Sequence, residues 1–179
     1  YIEKHPELQD IVVSGGDSYY LQPEHIRLIG ERLISMPNIK RFRFASKGLA
    51  VAPARILDES DGWVNALIDI SNMAKKAGKA MALHTHFNHP NEISWITSAA
   101  SQRLFEDGVM VRNQTVLLRG VNDDLETMST LIRTLADNNI FPVSLSRTLF
   151  APVGFTRRIW CSDDQAAVLR LPMRHGTAS

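Results

Sequence analysis

Three imidazoles fall within six positions of this chain, in the run His84-Thr85-His86-Phe87-Asn88-His89-Pro90-Asn91-Glu92. Just upstream lies Ala80-Met81-Ala82-Leu83, an apolar segment with the character of a buried strand. Side chains alternate along a strand, so His84 and His86 project to the same side. Two chemistries use such a pattern. His84, His86 and His89, with Glu92 as an acidic neighbour, could ligate zinc or manganese in a barrel hydrolase that activates a water. Alternatively, the imidazoles hydrogen-bond the sugar or phosphate of a cofactor. His89 precedes Pro90 and belongs to a turn, which works against convergence on one metal.

Three shorter clusters carry polar chemistry. Ser14-Gly15-Gly16-Asp17 pairs two glycines, which let the backbone approach a ligand, with a carboxylate able to accept from an ammonium group. As an isolated motif it equally describes a tight strand-to-helix turn. Ser46 and Lys47, in Arg43-Phe44-Ala45-Ser46-Lys47-Gly48, set a hydroxyl and a cation where a carboxylate or phosphate could bind, or where a lysine is simply solvated. Asn113 and Gln114 open a long apolar segment, and buried amides need partners, so a polar ligand is one way to satisfy them.

Five short apolar segments must position these groups: Asp10 to Ser14, Arg41 to Ala45, Ala80 to His86, Val109 to Leu118 and Ile140 to Ser144. Between them the apolar residues take helical spacing. Ile26, Ile29, Leu33 and Ile34 follow Pro23 at a first helical position, and Trp63, Leu67, Ile70 and Met73 precede the basic turn and stop at Gly78. Further helices are predicted from about Ser94 to Gly108 and from about Leu125 to Asn138. Alternation of strand and helix about every 30 to 40 residues implies right-handed βαβ units and a parallel sheet. The pattern fits an open doubly wound sheet or an arc of a (β/α) barrel equally well. In either, ligands collect at the carboxyl ends of the strands, where all four clusters fall.

Composition excludes several classes. The 179 residues carry 20 basic against 19 acidic side chains, a net charge of +1, with no broad electrostatic footprint for nucleic acid or an anionic membrane. No apolar run approaches the roughly 20 residues that cross a bilayer, and the first ten residues lack the features of a signal peptide. An intracellular, cytoplasmic protein with a small-molecule partner is expected. The opening Tyr1-Ile2-Glu3-Lys4 reads as the tail of a helix already under way, so an upstream segment is expected. Cys161 is the single cysteine, and one thiolate neither closes an internal disulfide nor builds a multi-cysteine centre.

Taken together, the segments resemble the lysine 2,3-aminomutase family of radical S-adenosylmethionine enzymes, especially its fungal members. The resemblance runs from about residue 8 to residue 142. It rests on Ser14-Gly15-Gly16-Asp17, on Lys47-Gly48-Leu49-Ala50-Val51 with Pro53 and Arg55, on Thr85 to Ile93, and on Asn113-Gln114 with Val116 to Asp123. It implies a partial (β/α) barrel of the radical S-adenosylmethionine type, here an incomplete arc of about five βα units over residues 1–147. It also implies a reaction that moves an amino group between adjacent carbons of lysine or a related amino acid, using S-adenosylmethionine, a 4Fe-4S cluster and pyridoxal phosphate.

Residue by residue, the resemblance places Ser14, Gly15, Gly16 and Asp17 at the amino group of S-adenosylmethionine. Ser46 and Lys47 fall near its carboxylate, where many members have arginine. His86 and Gln114 fall at its ribose side, while Asn113 and Asn122 secure strand ends. His84 departs from the bacterial pattern, which has asparagine there. Neither the family's Cys-x-x-x-Cys-x-x-Cys motif nor its imine-forming lysine is found in these residues, no residue of the radical step is assigned, and the chain alone is expected to be inactive. Residues 148–179, with Arg157-Arg158, Arg170 and Arg174, are expected to form an irregular tail unlike the family. A frame change, a retained intron or a non-catalytic remnant would account for such a break. The complete enzyme could be a homo-oligomer.

Overall fold

Alternate positions of each strand face one apolar core, which assembles the sheet. In β1 (Asp10–Ser14), Ile11 and Val13 enter the core, and in β2 (Arg41–Ala45), Phe42 and Phe44 do so, while Arg41 and Arg43 face the other way. β3 (Ala80–Thr85) contributes Met81 and Leu83, and β4 (Met110–Leu117) contributes Val111. With β5 (Ile140–Arg147) and β6 (Ala166–Arg170) these make one six-stranded sheet in which every pairing is parallel. The computed structural model describes residues 1–147 and 166–170.

The strand order is β5-β4-β3-β2-β1-β6. From β1 to β5 each strand lies beside its predecessor, and β6 then crosses to the far side of β1. A mixed α/β sheet of this order is compatible with an arc of a (β/α) barrel. β6 sits on the outer edge of β1, pairing Asp10 to Ser14 with Ala166 to Arg170. This strand corrects the expectation of an irregular tail at those five residues. Ala166-Ala167-Val168-Leu169 is apolar but does not alternate, and the open edge of β1 supplies the backbone partners that make it a strand. The remainder of 148–179 lies outside the described residues.

The crossover helices are α1 (Pro23–Ser35), α4 (Gly62–Lys76), α5 (Trp95–Glu106) and α6 (Leu125–Asp137). Their apolar stripes, including Ile26, Leu33, Trp63, Leu67, Ile70, Leu104, Leu131 and Leu135, share one core with the sheet. Three of them start on side-chain caps. Asp61 accepts from Trp63 N, Ser94 and Thr97 form a reciprocal capping box, and Asp124 accepts from Thr127 N. Two single-turn helices not expected from the sequence, α2 (Gly48–Val51) and α3 (Ala54–Leu57), carry the chain from β2 toward α4. At Gly48 the backbone runs against the Tyr19 ring, and a Cβ there would lie 2.3 Å from a ring carbon, so the site excludes any side chain. Arg55 closes this corner by pairing with Asp61 and lying over the Tyr19 and Trp63 rings.

Candidate functional site

The loops that follow β1 to β4 are bonded to one another in series along the carboxyl edge of the sheet. After β1 the backbone turns at Gly16, whose φ of 67° is in the left-handed region that glycine adopts without strain. Asp17 then divides its carboxylate: Oδ1 accepts from Tyr19 N and Oδ2 from Lys47 N, both at 2.8 Å. Ser18 Oγ donates to Ala45 O at 2.9 Å. The turn after β1 is thereby fastened to the loop after β2.

That second loop is fastened to the third. Ser46 N donates to His84 O, and the buried Ser46 Oγ accepts from Gly48 N at 2.8 Å. Lys47 Nζ pairs with Glu92 Oε1 at 3.0 Å. Glu92 Oε2 accepts from Asn88 N at 2.5 Å and from His89 N at 3.2 Å. Burial alone would raise the Glu92 carboxyl, but these backbone donors and the Lys47 ammonium hold it below its ordinary value.

The third loop is fastened to β4 through amides. Asn88 Oδ1 accepts from Val116 N at 2.9 Å, and Asn122 Nδ2 donates to Asn88 O and Val116 O. The fully buried Asn113 accepts from Phe87 N at 2.7 Å and donates to Phe87 O and Thr115 Oγ1. Asn113 and Asn122 therefore secure the turn and the strand end. Gln114 has the opposite parity and lies on the face of the sheet that carries His84 and His86.

His84 stands in register between Ala45 and Arg112, and His86 follows on the same face. Burial, reinforced by the guanidiniums of Arg43 and Arg112, pushes the His84 imidazole down to about 4. His86 is lowered too, by burial first and then by Lys47, against the opposing pull of Glu92. Both rings are neutral near pH 7, able to donate from one nitrogen and accept at the other. His89 points its Nδ1 at Asn91 N, at 3.1 Å, as the cap of a one-turn helix. Among the described residues no three His, Cys, Asp or Glu side chains are gathered as a metal ligand set. The hydrolase reading from His84, His86 and His89 lacks its ligand geometry for this reason.

Ser14, Gly15, Gly16, Asp17, Ser46, Lys47 and His86 thus come from the ends of three adjacent strands, and Gln114 from within β4, one residue past the Thr85–Asn113 pair, along one edge. The sequence reading missed the Lys47–Glu92 pair, whose partners are 45 residues apart, and it missed Arg43 and Arg112 beside His84. Strand parity was the available signal for the two arginines. A cleft of about 430 Å³ between α1 and α4, lined by Arg27, Glu31, Asp69 and Met73, lies on the helical side. It is crossed by the Arg27–Asp69 pair at 2.9 Å and shares no residue with the strand-end edge.

No family model matches the chain. Curated proteins do. It is 37% identical over 142 residues to the L-lysine 2,3-aminomutase of Clostridium subterminale, covering 79% of this chain and 32% of that one. The chain belongs to the lysine 2,3-aminomutase family. A glutamate 2,3-aminomutase of Clostridioides difficile is 33% identical over 79% of this chain and 31% of its own length. The L-lysine 2,3-aminomutase of Escherichia coli is 32% identical over 166 residues, 93% of this chain and 45% of that one, a match long enough to reach past β5. Against the first two of these relatives the chain spans about a third of their length. Among the described residues, no helix is long and apolar enough to cross a membrane.

Proposed function

We propose that this chain is part of a radical S-adenosylmethionine aminomutase, one that moves an amino group between adjacent carbons of lysine or a related amino acid, and that its strand-end edge holds S-adenosylmethionine. The observation that supports this most is the co-location of Gly15-Gly16-Asp17, Ser46-Lys47 and His86, in loops bonded to one another after consecutive parallel strands, with Gln114 of the next strand.

The donor set fits a zwitterionic nucleoside. Asp17 offers carboxylate lone pairs to an ammonium, although two backbone N–H groups already use one on each oxygen. Lys47 and Ser46 offer a cation and a hydroxyl to a carboxylate, with Lys47 exchanging or sharing its Glu92 partner. His86 and Gln114 offer neutral donors and acceptors to ribose hydroxyls. When bound, S-adenosylmethionine supplies the carbon–sulfur bond whose reductive cleavage begins the family's hydrogen abstraction. The residues named here bind and orient it.

The other two cofactors of the family do not fit these residues. A cluster held by three thiolates needs more than Cys161, the single cysteine in the sequence. An imine needs a lysine amine with no other role, and the lysine at this edge, Lys47, is placed at the carboxylate of S-adenosylmethionine and beside Glu92. Anaerobic reconstitution with iron and sulfide, followed by iron analysis and turnover assays with lysine and glutamate, tests the reading that this chain does not act alone. The expected outcome is less than one cluster per chain and no amino-group migration. A stoichiometric cluster with turnover would contradict it.

A further inference from the structure

The face of the sheet turned away from the helices carries a cationic cluster that the strand-end reading leaves unused. Arg43 on β2, His84 on β3 and Arg112 on β4 share this face, because Phe42, Phe44, Leu83 and Val111 occupy the opposite one. His84 is the register partner of Arg112, and Arg43 sits two residues before Ala45, its partner on the other side. Neighbouring strands lie about 4.8 Å apart, so the three groups occupy one patch across adjacent strands.

Their hydrogen-bonding capacity is not filled. His84 Nε2 and Arg43 Nε are buried without a hydrogen-bond partner. Arg112 has no ion-pair partner among the described residues. The carboxylate bonded to the cluster is Asp10, whose Oδ2 takes Arg43 Nη2 at 3.0 Å and Arg41 Nε at 3.3 Å. Asp10 is shared by Arg41 and Arg43, with its Oδ1 also unpartnered, and no carboxylate is paired with Arg112 among the described residues. Positive charge is therefore in surplus around His84, where buried polar groups without partners are costly to maintain.

We propose that Arg43, His84 and Arg112 form an oxyanion subsite on this face of the sheet, one that takes the carboxylate or phosphate of a small ligand. Arginine forks match such groups, and His84 Nε2 adds a donor between them. The groups that bear on the imidazole are Arg43, Arg112 and His86, all of which oppose its protonation. A bound anion offsets these charges but not the burial that dominates the shift, so binding raises the imidazole from about 4 and tightens as the pH falls toward that value. The subsite follows from sheet register and charge, independently of the aminomutase reading. Either can fail while the other stands.

Calorimetric titration of the full 179-residue chain with inorganic phosphate and with acetate, at constant ionic strength, tests the proposal. One saturable site is expected. Arg112→Gln and His84→Asn should weaken it about ten-fold, as expected for loss of a charge-assisted hydrogen bond. Arg133→Gln, at an exposed position of α6, should change it less than about two-fold, since a distant exposed charge is largely screened. Circular dichroism establishes that each variant is folded; Arg112 has no ion pair to lose among the described residues, whereas Arg43→Gln would leave Asp10 with Arg41 alone. Tighter phosphate than acetate assigns the subsite to a phosphate group, and the reverse assigns it to a carboxylate. Failure of both anions to saturate folded wild-type chain, or equal affinity in all variants, overturns the proposal.

Discussion

Asp17 joins two loops with one carboxylate, and that makes it the side chain whose loss the edge should feel most. Asp17→Ala leaves the N–H groups of Tyr19 and Lys47 without their acceptor. A cost of about 1–3 kcal/mol is expected in urea denaturation, the price of unpaired donors, with a concurrent loss of S-adenosylmethionine affinity. His84 gives a pH signature. Its folded value of about 4 lies below the 6.5 of an exposed imidazole, so the unfolded chain takes up the proton first. Its contribution to stability is complete above pH 6.5 and is lost as the pH falls toward 4. The stability of wild type should decline over that window more steeply than that of His84→Asn, as read by denaturant midpoints at each pH. At this scale the sequence displayed the residue types but not their partners. The His84-Thr85-His86 spacing announced a shared face, whereas Glu92 as the partner of Lys47 depends on how two separate loops meet.

Among the elements, the strands were the most legible, because a period of two in Arg41-Phe42-Arg43-Phe44 has one structural reading when one face is buried. The four long helices were legible from the spacing of their apolar residues. α2 and α3 were not, since a single turn of four residues is too short to show a period, and β6 was not, since its strand character comes from the edge of β1 rather than from its own pattern. The buried amides hold the elements in place. Asn113→Ala removes three hydrogen bonds around Phe87 and Thr115, and a loss of about 2–3 kcal/mol is expected in the same denaturation assay, at the upper end for an orphaned buried group. Gly48→Ala should also destabilise, because its Cβ would meet the Tyr19 ring, and Tyr19→Ala should relieve that particular conflict in the double variant.

Seen as a whole molecule, the sheet is covered by helices on one face and on the other carries exposed apolar residues beside the Arg43, His84 and Arg112 cluster. Phe141 is 55% exposed, Val143 43% and Met110 41%, and among the described residues no further strand pairs with the outer edges of β5 and β6. Exposed apolar surface beside a free strand edge favours association. The chain is expected to self-associate at micromolar concentration in sedimentation analysis, and Phe141→Ser with Val143→Thr should shift it toward monomer. The direction of sheet winding, undecided between doubly wound and barrel from the sequence, is a property of long-range pairing that local periodicity does not contain. The central claim is that one edge of this sheet binds S-adenosylmethionine. Hydrogen exchange of the full chain with and without S-adenosylmethionine tests it most directly. The account predicts slowed exchange in 14–19, 45–48, 86–92 and 113–116. Slowing confined to the α1–α4 cleft, or no slowing at saturating ligand, would contradict it.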